Sequence, residues 1–181
     1  MTRFSLTRFS LAAAAALVLG ACASAGTDGP GLQGEAVLKD KAGQPVGRAT
    51  FTESSEGARI EVTGVGLPPG SKGIHIHAVG KCDPPDFVSA GAHFNPAAKK
   101  HGRLNPDGAH AGDLPNLMVT PAGAARLDVT TKAVTLKEGA PASLFGPAGT
   151  SLVIHAGPDD EKTDPTGNSG GRMACGIITR K

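Results

Sequence analysis

Residues 59–78 read RIEVTGVGLPPGSKGIHIHA. Arg59–Val65 alternates polar and apolar side chains, with Ile60 and Val62 on one face. A period of two marks a strand with one buried face. Leu67-Pro68-Pro69-Gly70 ends it, because proline removes a ladder donor and glycine supplies turn geometry. Gly73–Ala78 then resumes the alternation with histidine in the outward slots. His75 and His77 project from one face while Ile76 packs on the other.

Outward from this stretch, the same pattern of short runs and turns continues. Glu35–Lys39, Val46–Thr52, Asn116–Thr120, Ala125–Thr131, Ser151–His155 and Met173–Thr179 bring the candidate strands to eight. Lys41–Gln44, Ser54–Gly57 and Pro121–Gly123 supply the turns, and no stretch reads as an amphipathic helix. With 26 Gly and 14 Pro, this predicts an all-β protein, a closed barrel or a two-sheet sandwich. Two long polar loops, 79–115 and 156–171, interrupt the spacing. Such loops in a small domain are usually functional.

The N-terminal 1–21 reads as an export signal. Arg3 and Arg8 precede a short apolar run, Leu11–Leu19, shorter than the roughly 20 residues of a membrane span. Leu19-Gly20-Ala21-Cys22 resembles a bacterial lipobox, in which Cys22 would be lipidated and start the mature chain. The other reading is an ordinary signal peptide cut after Ala25. Residues 22–33 form the lipidated cysteine and a small, polar tether, about 20 Å root-mean-square as a random coil. The folded domain is expected over 34–181. Export places it in the periplasm or cell envelope, held to the membrane through Cys22.

The leader holds two of the 18 basic residues and no acid, so 16 basic residues face 16 acidic ones in the chain that follows it. A neutral domain without Trp or Tyr has neither the basic footprint nor the stacking platforms of a nucleic-acid binder. With Cys22 assigned to lipid, Cys82 and Cys175 remain. An even pair in an exported protein predicts a disulfide, two buried free thiols being the other reading. Closing a loop of about 90 residues would add about 2–4 kcal/mol.

All six histidines fall at metal-ligand spacing: His75, His77, His93, His101, His110 and His155, with Asp113 three residues after His110. Imidazole suits copper and zinc, and His93, His101, His110 and Asp113 make a closed three-nitrogen, one-oxygen set suited to Zn²⁺.

The motifs GIHIHAVGKC, SAGAHFNP, KHG, HAGDLPNL, LVIHAGPDD and GNSGGRMACGII resemble those of copper/zinc superoxide dismutases, specifically the bacterial exported branch. The family is itself a known β-sandwich example. The resemblance spans residues 34–181 and implies an eight-stranded Greek-key barrel. It implies copper on His75, His77, His93 and His155, and zinc on His93, His101, His110 and Asp113, with His93 bridging the two. It further implies that Asp159 links His75 to His101, that Arg172 attracts superoxide, and that Cys82 and Cys175 form the family disulfide. The implied activity is dismutation of superoxide to dioxygen and hydrogen peroxide by a redox-cycling copper, protecting the envelope. His93 would carry a proton in each cycle, so it and Arg172 are the catalytic candidates.

A copper-binding protein without turnover would lack the bridging histidine, the zinc aspartate or the arginine, and His93, Asp113 and Arg172 are all present. The stretch from His155 to Arg172 is shorter than in the eukaryotic branch of the family. Asp160, Glu161 and Asp164 are expected to be a solvated charged face, and Thr166 and Gly167 to rim the channel. Asp83-Pro84-Pro85-Asp86-Phe87 is inserted relative to eukaryotic members and is expected to bear on access or assembly. Monomer and homodimer both remain open, the lack of Trp and Tyr favouring the monomer.

Overall fold

Nine strands, rather than eight, build the domain: β1 (Gln33–Asp40), β2 (Pro45–Ser54), β3 (Gly57–Gly64), β4 (Gly70–Lys72), β5 (Ile74–His77), β6 (Leu117–Val119), β7 (Ala125–Thr131), β8 (Thr150–His155) and β9 (Arg172–Arg180). The structure, a computed structural model, describes Met1 and residues 31–181. The export signal, Cys22 and the tether as far as residue 30 lie outside the described residues. Gln33 already belongs to β1, and the Leu32 carbonyl accepts the Glu53 N–H at 2.9 Å.

The additional strand is β4. A three-residue run after Pro68-Pro69 is too short to show a period, and it reads as part of the break. The strand order is β4-β6-β7-β3-β2-β1-β9-β8-β5. Its first and last members are consecutive in the chain, separated only by Gly73. One extended segment therefore contributes a strand to each end of the sheet, which curls into a nearly closed antiparallel barrel. Counted as one, β4 and β5 restore the expected eight. The connections from β3 to β4 and from β7 to β8 skip over intervening strands, as Greek-key topology requires. The only helical element among the described residues is a 3-10 turn, Val88–Ala90.

The inward positions of the alternating strands form the core. Leu38, Ala49, Phe51, Ile60, Val62, Ile74, Ile76, Leu117, Leu152 and Ile154 are fully buried. Burial of each large side chain contributes about 1.5–3 kcal/mol. In β3 the pattern is regular: Ala58, Ile60 and Val62 point in, and Arg59 and Glu61 point out. Arg59 pairs with Asp128 across the β3–β7 ladder.

β5 and β8 are buried on both faces. Their inner residues join the core, and their outer residues lie beneath the long loops. Ser151 Oγ donates to the Val79 carbonyl at 2.9 Å. Val153 packs with Phe87, Ala90 and Cys175 in a small second cluster against Cys82. The expected disulfide joins Cys82 to Cys175. It fixes the 79–115 loop to β9 beside this cluster.

Candidate metal centre

The residues between Ala92 and Asp113 lie along the free side of β5. Ile76 N–H donates to Gly112 O, Phe94 N–H to Ile76 O and Ala78 N–H to Ala92 O, at 2.8–2.9 Å. Isolated bridges set His77 opposite His93 and His75 opposite Asp113. Backbone pairing thus brings distant ligand candidates onto the outer face of one short strand. Gly112 makes this possible, since a Cβ there would overlap the Ile76 carbonyl oxygen.

His155 ends β8, where the β8–β9 register shifts. Ile154 pairs with Ala174 but His155 pairs with Arg172, so Met173 is an extra residue. Such a bulge re-aims neighbouring side chains. Here it places Arg172 beside His155.

All six histidines are at most 7% exposed, and Asp113 and Asp159 at most 9%. Burial pushes His77 down to about 2, His155 to about 3 and His75 to about 4, so these rings are neutral. Their partners then fix the tautomers. His77 Nδ1–H donates to Gly91 O at 2.9 Å, and His155 Nδ1–H to Gly170 O at 3.1 Å. His75 Nε2–H donates to Asp159 Oδ2 at 2.7 Å. Each ring is left with a lone pair on its other nitrogen. His77 Nε2 and His155 Nε2 face each other at 3.4 Å. His75 Nδ1 and His93 Nε2 are buried without any hydrogen-bond partner. His75, His77, His93 and His155 can bring one nitrogen each within 4.8 Å of one another. Buried lone pairs gathered without a donor are what a soft cation would satisfy.

A second group gathers round Asp113 Oδ1. His101 Nδ1 stands 3.0 Å from it, His93 Nδ1 3.1 Å and His110 Nδ1 3.4 Å. His110 Nδ1 is also 3.4 Å from His93 Nδ1. A tetrahedron with metal–ligand bonds of about 2.0–2.1 Å has edges of about 3.3–3.4 Å, so the set fits Zn²⁺. By proximity alone His75 groups with His93, His101 and Asp113 in place of His110. The Nε2–H of His75 is committed to Asp159, which makes His110 the better fourth member.

Burial would lower His101, but the carboxylates of Asp113 and Asp159 outweigh it and raise this ring to about 9. Burial would likewise raise Asp113 and Asp159, yet both sit below the carboxylate range because histidine and backbone N–H groups hold them ionised. Asp159 spans the two groups, with His75 on Oδ2 and His101 on Oδ1 at 3.0 Å.

Several residues enter the site that sequence reasoning did not single out. The Asn116 amide clasps the Asp159 backbone, accepting from its N–H and donating to its carbonyl at 2.8 Å each. Its only sequence signal was its place inside HAGDLPNL. Asp160, Glu161 and Asp164, expected to be merely solvated, each hold specific partners. Asp160 ties down Lys162, Thr163 and Asn168. Glu161 accepts Arg103 at 2.9 Å. Asp164 accepts the His101 N–H at 2.6 Å and faces Lys100 at 3.3 Å. Of the two expected rim residues, Thr166 lines the cleft, whereas Gly167 is buried against Asp159 and His101.

The cleft above the two groups is about 710 Å³, and His77, His93, His155, Arg172, Lys99 and Lys100 are among its lining residues. The guanidinium of Arg172 donates to Phe87 O and Gly91 O at 2.5 Å each. Burial lowers its pKa, but guanidinium starts so high that it stays charged.

A Greek-key barrel with two adjoining histidine-rich groups sharing one imidazole, under a cationic cleft, defines a two-metal β-barrel protein of the copper–zinc class. The model for copper/zinc superoxide dismutase matches residues 46–178. Superoxide dismutase [Cu-Zn] 1 of Aquifex aeolicus is 49% identical over 148 residues, covering 81% of this chain and 88% of the relative. The Caulobacter vibrioides enzyme is 44% identical over 145 residues, covering 79% and 83%. The solved structure of a superoxide-dismutase-like protein from Bacillus subtilis superposes with a TM-score of 0.76 at 41% identity, covering 79% of this chain and 96% of the other. The chain belongs to the copper/zinc superoxide dismutase family. It is an oxidoreductase that dismutes superoxide with copper and zinc.

Proposed function

We propose that copper is held by His75 Nδ1 and by the Nε2 atoms of His77, His93 and His155, and zinc by His93, His101, His110 and Asp113. The observation that carries this reading is the set of four copper-facing nitrogens: fixed tautomers leave those of His75, His77 and His155 free, and those of His75 and His93 are buried without a partner. Copper would supply two oxidation states when bound, and zinc a redox-silent cation. Two superoxide ions and two protons give one dioxygen and one hydrogen peroxide. His93 holds a proton at Nε2 in one half of the cycle and passes it to the departing peroxide in the other. Arg172 offers a permanent charge at the mouth of the cleft, which concentrates a small anion there. Asp159 holds the tautomer of His75 and the orientation of His101 together.

The enzyme acts outside the cytoplasm on this reading, tethered through lipid on Cys22, and protects the envelope from superoxide. The signal-like 1–21 segment supports this. The test is reconstitution with copper and zinc, metal counting, and dismutation measured against ionic strength. One copper and one zinc per chain with salt-dependent turnover is expected. In Arg172→Ala, efficiency should fall at least 10-fold at low salt and its salt dependence should flatten. Full metal loading without turnover would overturn the reading. Mass analysis of envelope-extracted protein tests the lipid on Cys22.

A further inference from the structure

We propose that Phe87 is a positioning residue for Arg172: its buried ring pins a left-handed backbone whose carbonyl fixes the guanidinium over the metal cleft. Phe87 ends the inserted Asp83–Phe87 segment and has φ 56 and ψ 24. A bulky side chain rarely adopts that conformation and needs surroundings that hold it. The ring supplies the hold. It is 2% exposed and packs with Ala90, Val153 and Cys175, against Cys82, in a cluster separate from the barrel core. The segment is fastened on both sides, since Phe87 N–H donates to Asp83 O and Val88 N–H to Asp86 Oδ1.

The carbonyl of Phe87 accepts Nη1 of Arg172, which itself lines the cleft. The other nitrogen of Arg172 goes to Gly91 O, which also receives the His77 ring. Gly91 therefore serves a metal ligand and the arginine at once, whereas the Phe87 carbonyl receives the arginine and the Ala90 N–H and no metal ligand. A guanidinium gripped at two points keeps one orientation. Held only by Gly91 it can swing about that bond, and its charge is spread over a wider volume. Glycine would accept the same φ without strain, so the phenylalanine is there for its ring.

The inference rests on the anion-attracting role given to Arg172 above. The probe is azide, titrated into enzyme loaded with copper and zinc and followed by the absorption of copper, with metal content counted in each sample. Phe87→Ala and Phe87→Gly are expected to load both metals fully. Their azide affinity and low-salt catalytic efficiency should fall by about 3- to 10-fold, toward the values of Arg172→Ala. Phe87→Leu, which refills the cluster, should recover most of the loss. In an Arg172→Ala background, removing the ring should change azide affinity by less than about 2-fold, because coupled residues are not additive. Equal losses with and without Arg172, or parental azide affinity in both ring-deleted variants, would overturn the inference. If the two ring-deleted variants fail to fold, Phe87→Met, unbranched at Cβ and keeping more of the buried volume without the ring, carries the same comparison. An unchanged azide affinity in Arg172→Ala itself would instead sink the role of the arginine.

Discussion

Gly167→Ala is the sharpest perturbation of the joint between the two metal groups. Gly167 has φ +62, and a Cβ there would overlap Asp159 Oδ1 and stand 2.6 Å from His101 Nε2. An L side chain in this backbone conformation costs about 1–2 kcal/mol. The methyl group must also drive the Asp159 carboxylate away from His75 and His101, two contacts to a charged group worth about 1.5–3 kcal/mol each. The metal-free protein is expected to lose about 3–5 kcal/mol, partial relaxation keeping the loss below the full sum. Loss of a carboxylate that orients metal-bound histidines lowers affinity by about 10–100-fold. Gly139→Ala is the control, with φ +75 and nothing within 4 Å of its Cβ. It carries the backbone penalty alone, about 1–2 kcal/mol, with no change in metal affinity. Urea unfolding and chelator competition for each metal read both variants. Parental metal affinity in Gly167→Ala, or an equal loss in Gly139→Ala, would falsify the reasoning.

Three further outcomes are expected. Burial holds the folded values of His75, His77 and His155 at about 4, 2 and 3. As pH falls below about 6.5 the unfolded chain takes up protons that the fold refuses, so the metal-free protein loses on the order of 1 kcal/mol per histidine per pH unit. His101, raised to about 9, runs the other way: its contribution is full below about 6.5 and is lost as pH rises through about 9. Urea stability of the metal-free protein that rises between pH 6.5 and 4.5 would contradict this. Reduction of the disulfide, or Cys82→Ser, should cost about 2–5 kcal/mol in urea unfolding, and no change would mean the link constrains little. Asn116→Ala should weaken binding of both metals by about 10-fold in chelator competition, because Asp159 loses its backbone clasp; an effect under 2-fold would assign Asn116 to loop folding alone.

Strand alternation made most of the barrel legible, because one buried face writes a period of two into runs such as Arg59–Val65. β4 escaped because three residues carry no period and sit behind a proline pair. The histidines and the zinc-suited set of His93, His101, His110 and Asp113 were legible by type and spacing, while the copper set and the sharing of His93 came from the family resemblance. What remained hidden were partners far apart in sequence. His101 N–H meets Asp164 across 63 positions, and Arg103 meets Glu161 across 58. A charged loop and a charge-paired loop have the same composition, so only the fold distinguishes them. The inward turn of Gly167 was invisible for a related reason: the sequence marks a glycine but not what lies against it.

β5 ends the strand order, and among the described residues no strand lies on its outer side. The groups there are met by Ala92, Phe94 and Gly112, neighbours of His93 and Asp113. An unpaired strand border is a template on which another chain can grow. In this molecule the metal-binding segment doubles as a guard against self-association. A chain short of zinc, with that segment less firmly held, would bare a strand border to any extended chain that meets it.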